Sequence, residues 1–290
     1  MSTPPAIFDR ALLRRRLRRA LAQGPADFLL NRVIEDLDDR LTAVQKPFAS
    51  IVDIGTPGIG LKARLATRFP KAALSRIAPL PEAGPLSRTA VGDPESLPLA
   101  PETFDLAVSA LALQSVNDLP GALVQIRCAL KPDGLFLGAM LGGRSLHELR
   151  TVLTEAETTL TGGVSPRVAP FADVRDMGGL LQRAGFALPV ADSDVITVRY
   201  ASMYGLMRDL RAMGATNPLV DRTRRPTPRM LFLRAAALYA ERFADPDGRI
   251  RATFEIVSLS GWAPHESQQK PAKRGSATIS LADVLKAKAR

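Results

Sequence analysis

The clearest chemical signal in the chain is a short segment, Ile51–Gly60, in which one acidic residue and three glycines follow a hydrophobic run. The apolar residues around Asp53 predict a buried strand, and Leu61–Phe69 has the composition of a helix. Glycines between a strand and a helix let the backbone approach a ligand, and the N-terminus of the helix then faces that ligand. The segment therefore predicts the opening of a nucleotide-binding βαβ unit.

Composition limits the other kinds of chemistry. The 290 residues, 46% of them hydrophobic, suffice for one large domain or for a domain with an appended lobe. One cysteine and two histidines exclude an internal disulfide and predict no metal site of the Cys/His type. We expect the single cysteine, Cys128, to be a small core residue of a helix. No apolar run reaches the roughly 18 residues that span a bilayer, and no signal core is expected near the start.

The net charge of +10 is concentrated at the two ends of the chain. Residues 1–20 carry six arginines against Asp9, and residues 270–290 carry six basic residues against Asp283, so the body between is formally neutral. A nucleic-acid-binding protein more often has a basic face across its folded core, so we predict no nucleic-acid partner. The basic ends predict contact with an acidic partner or a membrane surface; the alternative is that they are solvated termini.

The sequence around the glycine segment predicts the elements that must position it. Two amphipathic helices come first, Phe8–Leu21 and Asp27–Ala43. Strands and helices then alternate, which favours a parallel sheet covered by helices on both faces. A turn over Lys131–Gly134 and a helix capped by Asn117 or Asp118 are expected within this part. The predicted strands are Ser50–Ile54, Ala72–Ile77, Leu86–Val91, Phe104–Ala110 and Leu135–Leu141.

The second half of the chain predicts a helical insertion before a last long strand. Extended segments are expected at Phe186–Tyr200 and Ala252–Trp262. The whole pattern predicts seven strands, mostly parallel, with the last one antiparallel. The predicted helices of this half are Ser145–Leu160, Phe171–Ala184, Met203–Met213 and Arg229–Phe243.

Four segments together resemble the class I S-adenosylmethionine (SAM)-dependent methyltransferases: Asp53-Ile-Gly55, Gly92–Pro98, Phe104–Ser109 and Leu130–Phe136. The resemblance implies a Rossmann-like domain. We divide the chain into N-terminal helices (residues 1–46), a SAM-binding-type core (47–143), a C-terminal part of the same domain with the helical insertion (144–267) and a basic tail (268–290).

Further segments resemble one branch, the mitochondrial complex I assembly factor 5 family with its alphaproteobacterial relatives, close to the biotin-pathway malonyl carrier-protein methyltransferases. The likeness runs almost from end to end. The matching segments are Phe8–Arg10, Val116–Pro120, Gly138–Gly143, Glu148–Arg150, Gly162–Pro166, Leu181–Phe186, Asp209–Gly214, Gly261–Trp262, His265–Gln268 and Pro271–Thr278.

This likeness implies a function in complex I assembly. Family members are linked to modification of an arginine in an iron–sulfur subunit of complex I, described as hydroxylation rather than methylation. We expect a SAM-dependent methyltransferase or a related protein-modifying enzyme in the cytoplasm of a bacterium, at the inner face of the membrane. The alternative is a non-catalytic assembly or binding protein with a degraded cofactor loop. A third hypothesis, a small-molecule carboxyl methyltransferase near biotin synthesis, is disfavoured by the segment His265–Thr278.

The resemblance also implies which residues hold SAM. Asp53, Gly55 and Gly58 belong to the first loop, Asp93 is the acid beside the adenine, and Ser109 ends the fourth strand. No catalytic residue is assigned, because methyl transfer mainly requires alignment of the reacting atoms. On the acceptor side the expected contacts are Gln114 and His265.

Two departures from the family pattern predict weak or lost SAM binding. Pro57 and Ile59 stand where the family loop has its second and third glycines; proline lacks an N–H, and isoleucine has a branched side chain. Arg76 lies at the end of the second predicted strand, where the family has an acid that accepts hydrogen bonds from the ribose hydroxyls. Arginine has only donors, so Arg76 is either an altered contact to a phosphate or carboxylate, or a solvated arginine at a strand end.

Overall fold

The computed structural model describes residues 6–81 and 88–269. Its strands are β1 (Ser50–Ile54), β2 (Ala73–Ala78), β3 (Thr89–Val91), β4 (Phe104–Ala110), β5 (Leu130–Leu141), β6 (Ala187–Tyr200) and β7 (Ile250–Trp262). Its helices are α1 (Arg10–Gln23), α2 (Phe28–Thr42), α3 (Gly60–Arg68), α4 (Leu119–Ala129), α5 (His147–Thr161), α6 (Val174–Arg183), α7 (Met203–Ala212) and α8 (Arg229–Phe243). The first residues of the predicted strand Leu86–Val91 and the basic tail 270–290 lie outside the described residues.

The strands form one sheet in the order β3-β2-β1-β4-β5-β7-β6. The first five pair in parallel, whereas β7 is antiparallel to both β5 and β6. This arrangement confirms the predicted seven-strand, mostly parallel sheet. The three apolar strands β1, β4 and β5 are adjacent in its middle and almost fully buried, because helices cover both faces of a parallel sheet.

Two hydrophobic clusters show how the helices cover the sheet. One face packs against α2, α3, α5, α7 and α8, with residues such as Leu37 and Leu238 in its core. The other face packs against α4 and α6, through residues such as Ile126 and Leu181. No helix in the part of the chain that the structure describes is long and apolar enough to cross a membrane.

Several element boundaries differ from prediction for local physical reasons. Helix α1 begins two residues after Phe8, because the Asp9 carboxylate accepts a hydrogen bond from Leu12 N (2.9 Å) and caps it. Helix α6 begins at Val174 rather than Phe171, since Asp173 caps it.

Two further expectations differ from the structure. Lys131–Gly134 lies within the bounds of β5, but it interrupts the pairing with β4: Leu130 pairs with Phe104, Leu135 pairs with Leu106, and Asp133 between them has a φ of +61°. Cys128 is exposed on α4 rather than in the core.

The candidate site lies at the carboxyl ends of the parallel strands of this sheet. Strands β1, β2, β4 and β5 run in the same direction, so their carboxyl ends meet there. Helix α1 packs against α7 of the insertion, and Phe8 pairs with Leu219 beyond it. The N-terminal helix and the insertion therefore come together over the edge where ligands bind in α/β proteins.

Candidate functional site

The glycine loop joins β1 to α3 at this edge. Gly55 has a φ of +73°, and a Cβ there would lie 3.1 Å from both Ala112 Cβ and Pro94 Cγ. Gly58 has a φ of +66° with open space where its Cβ would be. Both positions favour glycine through backbone conformation, but only Gly55 is also closely packed. Ile59, at the third family glycine, has an exposed side chain.

Arg76 is the largest correction to the sequence-based site. The register of β1 and β2 places it beside Asp53, and its side chain is fully buried. The guanidinium forms an ion pair with the Asp53 carboxylate and donates to Thr56 O (2.7 Å) and Gly58 O (2.5 Å). The interpretation of Arg76 as a solvated arginine is therefore wrong, because its buried guanidinium donates to two backbone carbonyls of the glycine loop.

Asp53 depends on this arginine. Its carboxyl is 1% exposed, and burial raises its pKa to about 6, while the charge of Arg76 and hydrogen bonds from Thr56 act in the opposite direction. A buried carboxylate without a cation would be very costly. Asp53 and Arg76 therefore form one structural unit, and the ligand-binding role expected of Asp53 stays a prediction.

Asp93, the expected adenine-side acid, also forms an ion pair with an arginine of the same chain. Arg10 at the start of α1 contacts both carboxylate oxygens, with Nη2–Oδ1 at 2.7 Å and Nε–Oδ2 at 3.2 Å. Burial acts to raise the pKa of Asp93, but hydrogen bonds from Arg10 and from Glu95 N hold it below its ordinary value. Arg10 also donates to Ser115 O (2.7 Å), so it fastens α1 over the edge of the sheet.

Sequence reasoning did not identify Arg10 as a site residue. The signal that could have found it is the segment Phe8-Asp-Arg10, which is one of the family-like segments.

Ser109, a third predicted cofactor contact, also forms its hydrogen bond within the chain. It is fully buried, and its hydroxyl donates to Ile54 O (2.7 Å). This bond joins the ends of β4 and β1, which flank the glycine loop.

A cavity of about 440 Å³ lies beside the loop. It is walled by apolar side chains of α1, α2 and α7 and by residues at the carboxyl ends of β4 and β5. Pro57, Gly58 and Ile59 of the loop border it, and so does Gln114, whose acceptor-side role stays a prediction. Its apolar lining includes Leu17, Leu30, Leu111, Leu141 and Leu210.

His265 lies at the opposite edge of the sheet. Because β7 is antiparallel to β5, Trp262 at the end of β7 pairs with Leu135 rather than with Leu141 at the carboxyl end of β5. His265 follows Trp262 and contacts the Ser267 hydroxyl at 2.7 Å. The structure does not bring His265 to the cavity, so its predicted acceptor-side position is wrong.

These residues do not fit SAM in the arrangement that the resemblance implies. The resemblance implies an acid here that accepts hydrogen bonds from the ribose hydroxyls, but Arg76 offers only donors, and its guanidinium donates to the loop carbonyls. The acid expected near the adenine is paired with Arg10. Among residues 6–81 and 88–269, no three His, Cys, Asp or Glu side chains are grouped so that they could hold a metal ion.

The sheet order and the glycine loop define a methyltransferase fold. Residues 65–138 match the family model described as a methyltransferase domain. Among solved structures, a methyltransferase from Bacillus halodurans aligns with a TM-score of 0.51 at 15% identity, covering 80% of this chain and 99% of that one. The [4+2]-cyclase SpnF aligns with a TM-score of 0.51 at 16% identity, covering 90% and 98%. At these identities the structures support the fold alone.

Sequence relatives define the family. The chain is 39% identical over 293 residues to the mitochondrial arginine-hydroxylase NDUFAF5 of Danio rerio, covering 97% of this chain and 90% of the relative. The human protein of the same name is 41% identical, with 97% and 84% covered. A malonyl-[acyl-carrier protein] O-methyltransferase of Xylella fastidiosa is 32% identical over 279 residues, with 89% of each chain covered. The chain therefore belongs to the arginine-hydroxylase NDUFAF5 family, and both groups of relatives bear enzyme names.

Proposed function

We propose that this chain is a protein-modifying enzyme that acts on an arginine of an iron–sulfur subunit during the assembly of respiratory complex I. The observation that carries the proposal is the cavity at the carboxyl ends of β4 and β5, the edge where α/β proteins bind their ligands. Family membership supplies the substrate class, because the relatives are named arginine-hydroxylases. The proposal includes a location in the bacterial cytoplasm, with the basic ends near the membrane surface.

SAM binding in this proposal is weak. The loop carbonyls that surround the expected cofactor position accept hydrogen bonds from Arg76, and the nearby acid is paired with Arg10. Between hydroxylation and methylation, the names of the relatives that are about 40% identical over most of the chain favour hydroxylation.

A second candidate is a non-catalytic assembly protein. The buried ion pair between Asp53 and Arg76 favours it, because the chain's own side chains fill the polar part of the expected cofactor site. In this candidate the cavity binds a segment of a partner without changing it.

Mass spectrometry of complex I from the source bacterium would test the proposal. The gene is deleted, the iron–sulfur subunits are isolated, and arginine peptides are compared with those of the parent strain. We expect one arginine peptide to lose the mass of one oxygen atom, or of one methylene group if the reaction is methylation, and to regain it with the wild-type gene.

A matched pair of variants connects that result with the cavity. Ala215 is exposed and borders the cavity, whereas Ala201 is exposed and is not among the cavity's lining residues. Ala215→Phe should fail to restore the modification and Ala201→Phe should restore it. If complex I fails to assemble in the deletion strain while the masses of the arginine peptides stay unchanged, the non-catalytic candidate is correct. If neither complex I assembly nor any arginine mass changes, both candidate functions are wrong.

A further inference from the structure

A second recess in the surface lies between α5 and the segment 164–171, and it has a volume of about 410 Å³. The segment separates this recess from the cavity beside the glycine loop. Ala169 lines the cavity, Pro170 lines the second recess, and Phe171 borders both. The second recess is called the α5 cleft below.

Arg150, in the first turn of α5, carries an unpaired charge into the α5 cleft. It is partly buried, and its Nη2 donates to Ala169 O at 3.1 Å and to Ser145 O at 3.4 Å. Both acceptors are neutral backbone carbonyls. Burial lowers the pKa of Arg150, and no carboxylate of the described residues acts against that effect. The guanidinium is therefore held in place without a counter-ion from the described chain.

The other arginine of the α5 cleft is neutralised by an acid. Arg167 contacts both oxygens of Glu157, with Nε–Oε2 at 2.9 Å and Nη2–Oε1 at 2.6 Å, and its Nη1 donates to Thr227 Oγ1 at 3.0 Å. The hydrogen bonds from Arg167 lower the pKa of Glu157 to about 2, so the pair stays ionised at neutral pH and its charges cancel. The described lining of the cleft therefore offers one positive charge, that of Arg150.

The free donors of Arg150 are within reach of a ligand. Its Nε and Nη1 have no hydrogen-bond partner among the described residues, and neither is among the buried polar atoms that lack one. Both atoms are therefore accessible to solvent, and Arg150 lines the cleft. Thr154 lines the cleft one helical turn further along α5, on the same face of the helix. Since Thr154 is exposed, its hydroxyl can donate to the same ligand.

The donors and the walls of the α5 cleft indicate the class of ligand. A carboxylate has one negative charge and two oxygens, which match one unpaired cation and two donor side chains. A phosphate group has more charge and more oxygens than these residues can match. The rest of the lining is mostly apolar and includes Val164, Val168 and Phe171, so it suits a short hydrocarbon stem.

We propose that the α5 cleft is a binding site for a carboxylate with a short apolar stem. The Arg150 guanidinium donates to one carboxylate oxygen, and the Thr154 hydroxyl donates to the other. The stem lies against Val164 and Val168. This site is separate from the cavity at the carboxyl ends of the strands, so it does not depend on the proposed reaction.

Nuclear magnetic resonance titration of the full-length protein tests the site. The readout is the Nε–Hε signal of Arg150, which is identified by its absence from the spectrum of Arg150→Lys. We expect 3-methylbutanoate to shift this signal in a saturable way. The neutral 3-methylbutanamide should bind at least about tenfold more weakly, because it lacks the charge-assisted hydrogen bond. Equal affinity for the acid and the amide would overturn the proposal.

Two further probes examine the source of the carboxylate. N-acetyl-glutamate N-methylamide represents an acidic side chain of a partner protein, whereas 3-methylbutanoate represents a free acid. Both should bind, and the probe that binds more tightly identifies the source. The other probe is inorganic phosphate, and tighter binding of phosphate than of both carboxylates would overturn the choice of ligand.

Variants separate the proposed contacts from a purely structural role of Arg150. Arg150→Gln should weaken 3-methylbutanoate binding at least about tenfold, and Arg150→Lys, which keeps the charge, should weaken it less. Backbone amide signals of residues 164–171 report binding here, since both variants remove the side-chain signal. The matched control is Arg183→Gln, at an exposed arginine of α6 that is not a lining residue, and it should leave the affinity unchanged.

A second variant keeps the test valid if Arg150→Gln impairs folding. Thr154→Val at an exposed position removes the hydroxyl and should weaken 3-methylbutanoate binding about threefold or more. Thr151→Val, at an exposed threonine of the same helix that does not line the cleft, should have no effect. Affinity that is unchanged in both Arg150→Gln and Thr154→Val would overturn the proposal.

Discussion

Two neighbouring regions at the carboxyl ends of the parallel strands differ in how their polar side chains are paired. On the cofactor side, the acids Asp53 and Asp93 are each paired with an arginine of the same chain. On the cavity side, the walls are apolar and the acceptor Oε1 of Gln114 has no partner among the described residues. Asp53 Oδ1 likewise has no hydrogen-bond partner among the described residues, so the two regions differ in whether a charge is paired and not in whether every acceptor is satisfied.

The difference follows from the cost of burying charge. A carboxylate at the position of Asp53 cannot remain ionised in the interior without a cation nearby, and Arg76 supplies that cation from within the fold. A neutral amide costs much less to leave unpaired, so the fold tolerates Gln114 Oε1 without a partner. An acid in a family motif is therefore a weak guide to ligand binding once a neighbouring position has become arginine.

The largest expected effect comes from breaking the buried pair. Arg76→Met should lower the free energy of unfolding by about 3–5 kcal/mol, because the buried Asp53 loses its cation and must either stay charged without a partner or take up a proton. Chemical denaturation at neutral pH measures this loss. Arg64→Met is the matched control, since Arg64 is 47% exposed in its ion pair with Asp38, and it should cost no more than about 1 kcal/mol.

A double variant shows whether the unpaired charge is the cause. Asp53→Asn combined with Arg76→Met removes both charges and should recover much of the lost stability. If Arg76→Met is tolerated as easily as Arg64→Met, the two regions do not differ in the way described.

The second prediction concerns SAM. Wild type should bind SAM weakly, and Arg76→Asp combined with Pro57→Gly and Ile59→Gly should bind it at least about tenfold more tightly, a gain of about 1.4 kcal/mol. The triple variant restores an acceptor for the ribose and removes the two bulky loop residues. Isothermal titration of both proteins measures the difference. Tight binding by wild type would mean that Arg76 moves away from the loop carbonyls Thr56 O and Gly58 O when SAM arrives.

The sequence predicted most of the fold because hydrophobic periodicity and the family-like segments agreed. The strands β1 and β4 and the helix α8 were predicted at the residues where the structure has them. The predicted helix boundaries were wrong where a single capping side chain sets the first residue, as Asp9 does for α1. The prediction that Cys128 is buried was wrong because this residue, of a type that is usually buried, lies on the outer side of α4.

The site was harder to predict, since its contacts join residues far apart in the chain. Nothing local in the sequence indicates that Arg10 reaches Asp93 or that Arg76 reaches the loop carbonyls. The opposite position of His265 depends on the direction of β7 relative to β5, which a motif does not encode. The unpaired atom of Gln114 likewise becomes visible only when its surroundings are assembled.

The smallest expected effect is at the second ion pair of the cofactor side. Arg10 and Asp93 are each 20% exposed, so solvent screens them, and Arg10→Gln should lower the free energy of unfolding by about 1 kcal/mol or less. Because the pKa of Asp93 is held below its ordinary value, the pair stabilises the protein above the ordinary pKa of an aspartate, and this contribution is lost as the pH falls through the lowered pKa. The stabilities of wild type and Arg10→Gln should therefore differ at neutral pH and converge in acid, and thermal unfolding across that range measures both.

A constant difference at every pH would mean that Arg10 acts through its bond to Ser115 O rather than through the carboxylate. A loss as large as that of Arg76→Met would mean that both acids depend equally on their arginines, and the cofactor side would then be held by two buried pairs instead of one.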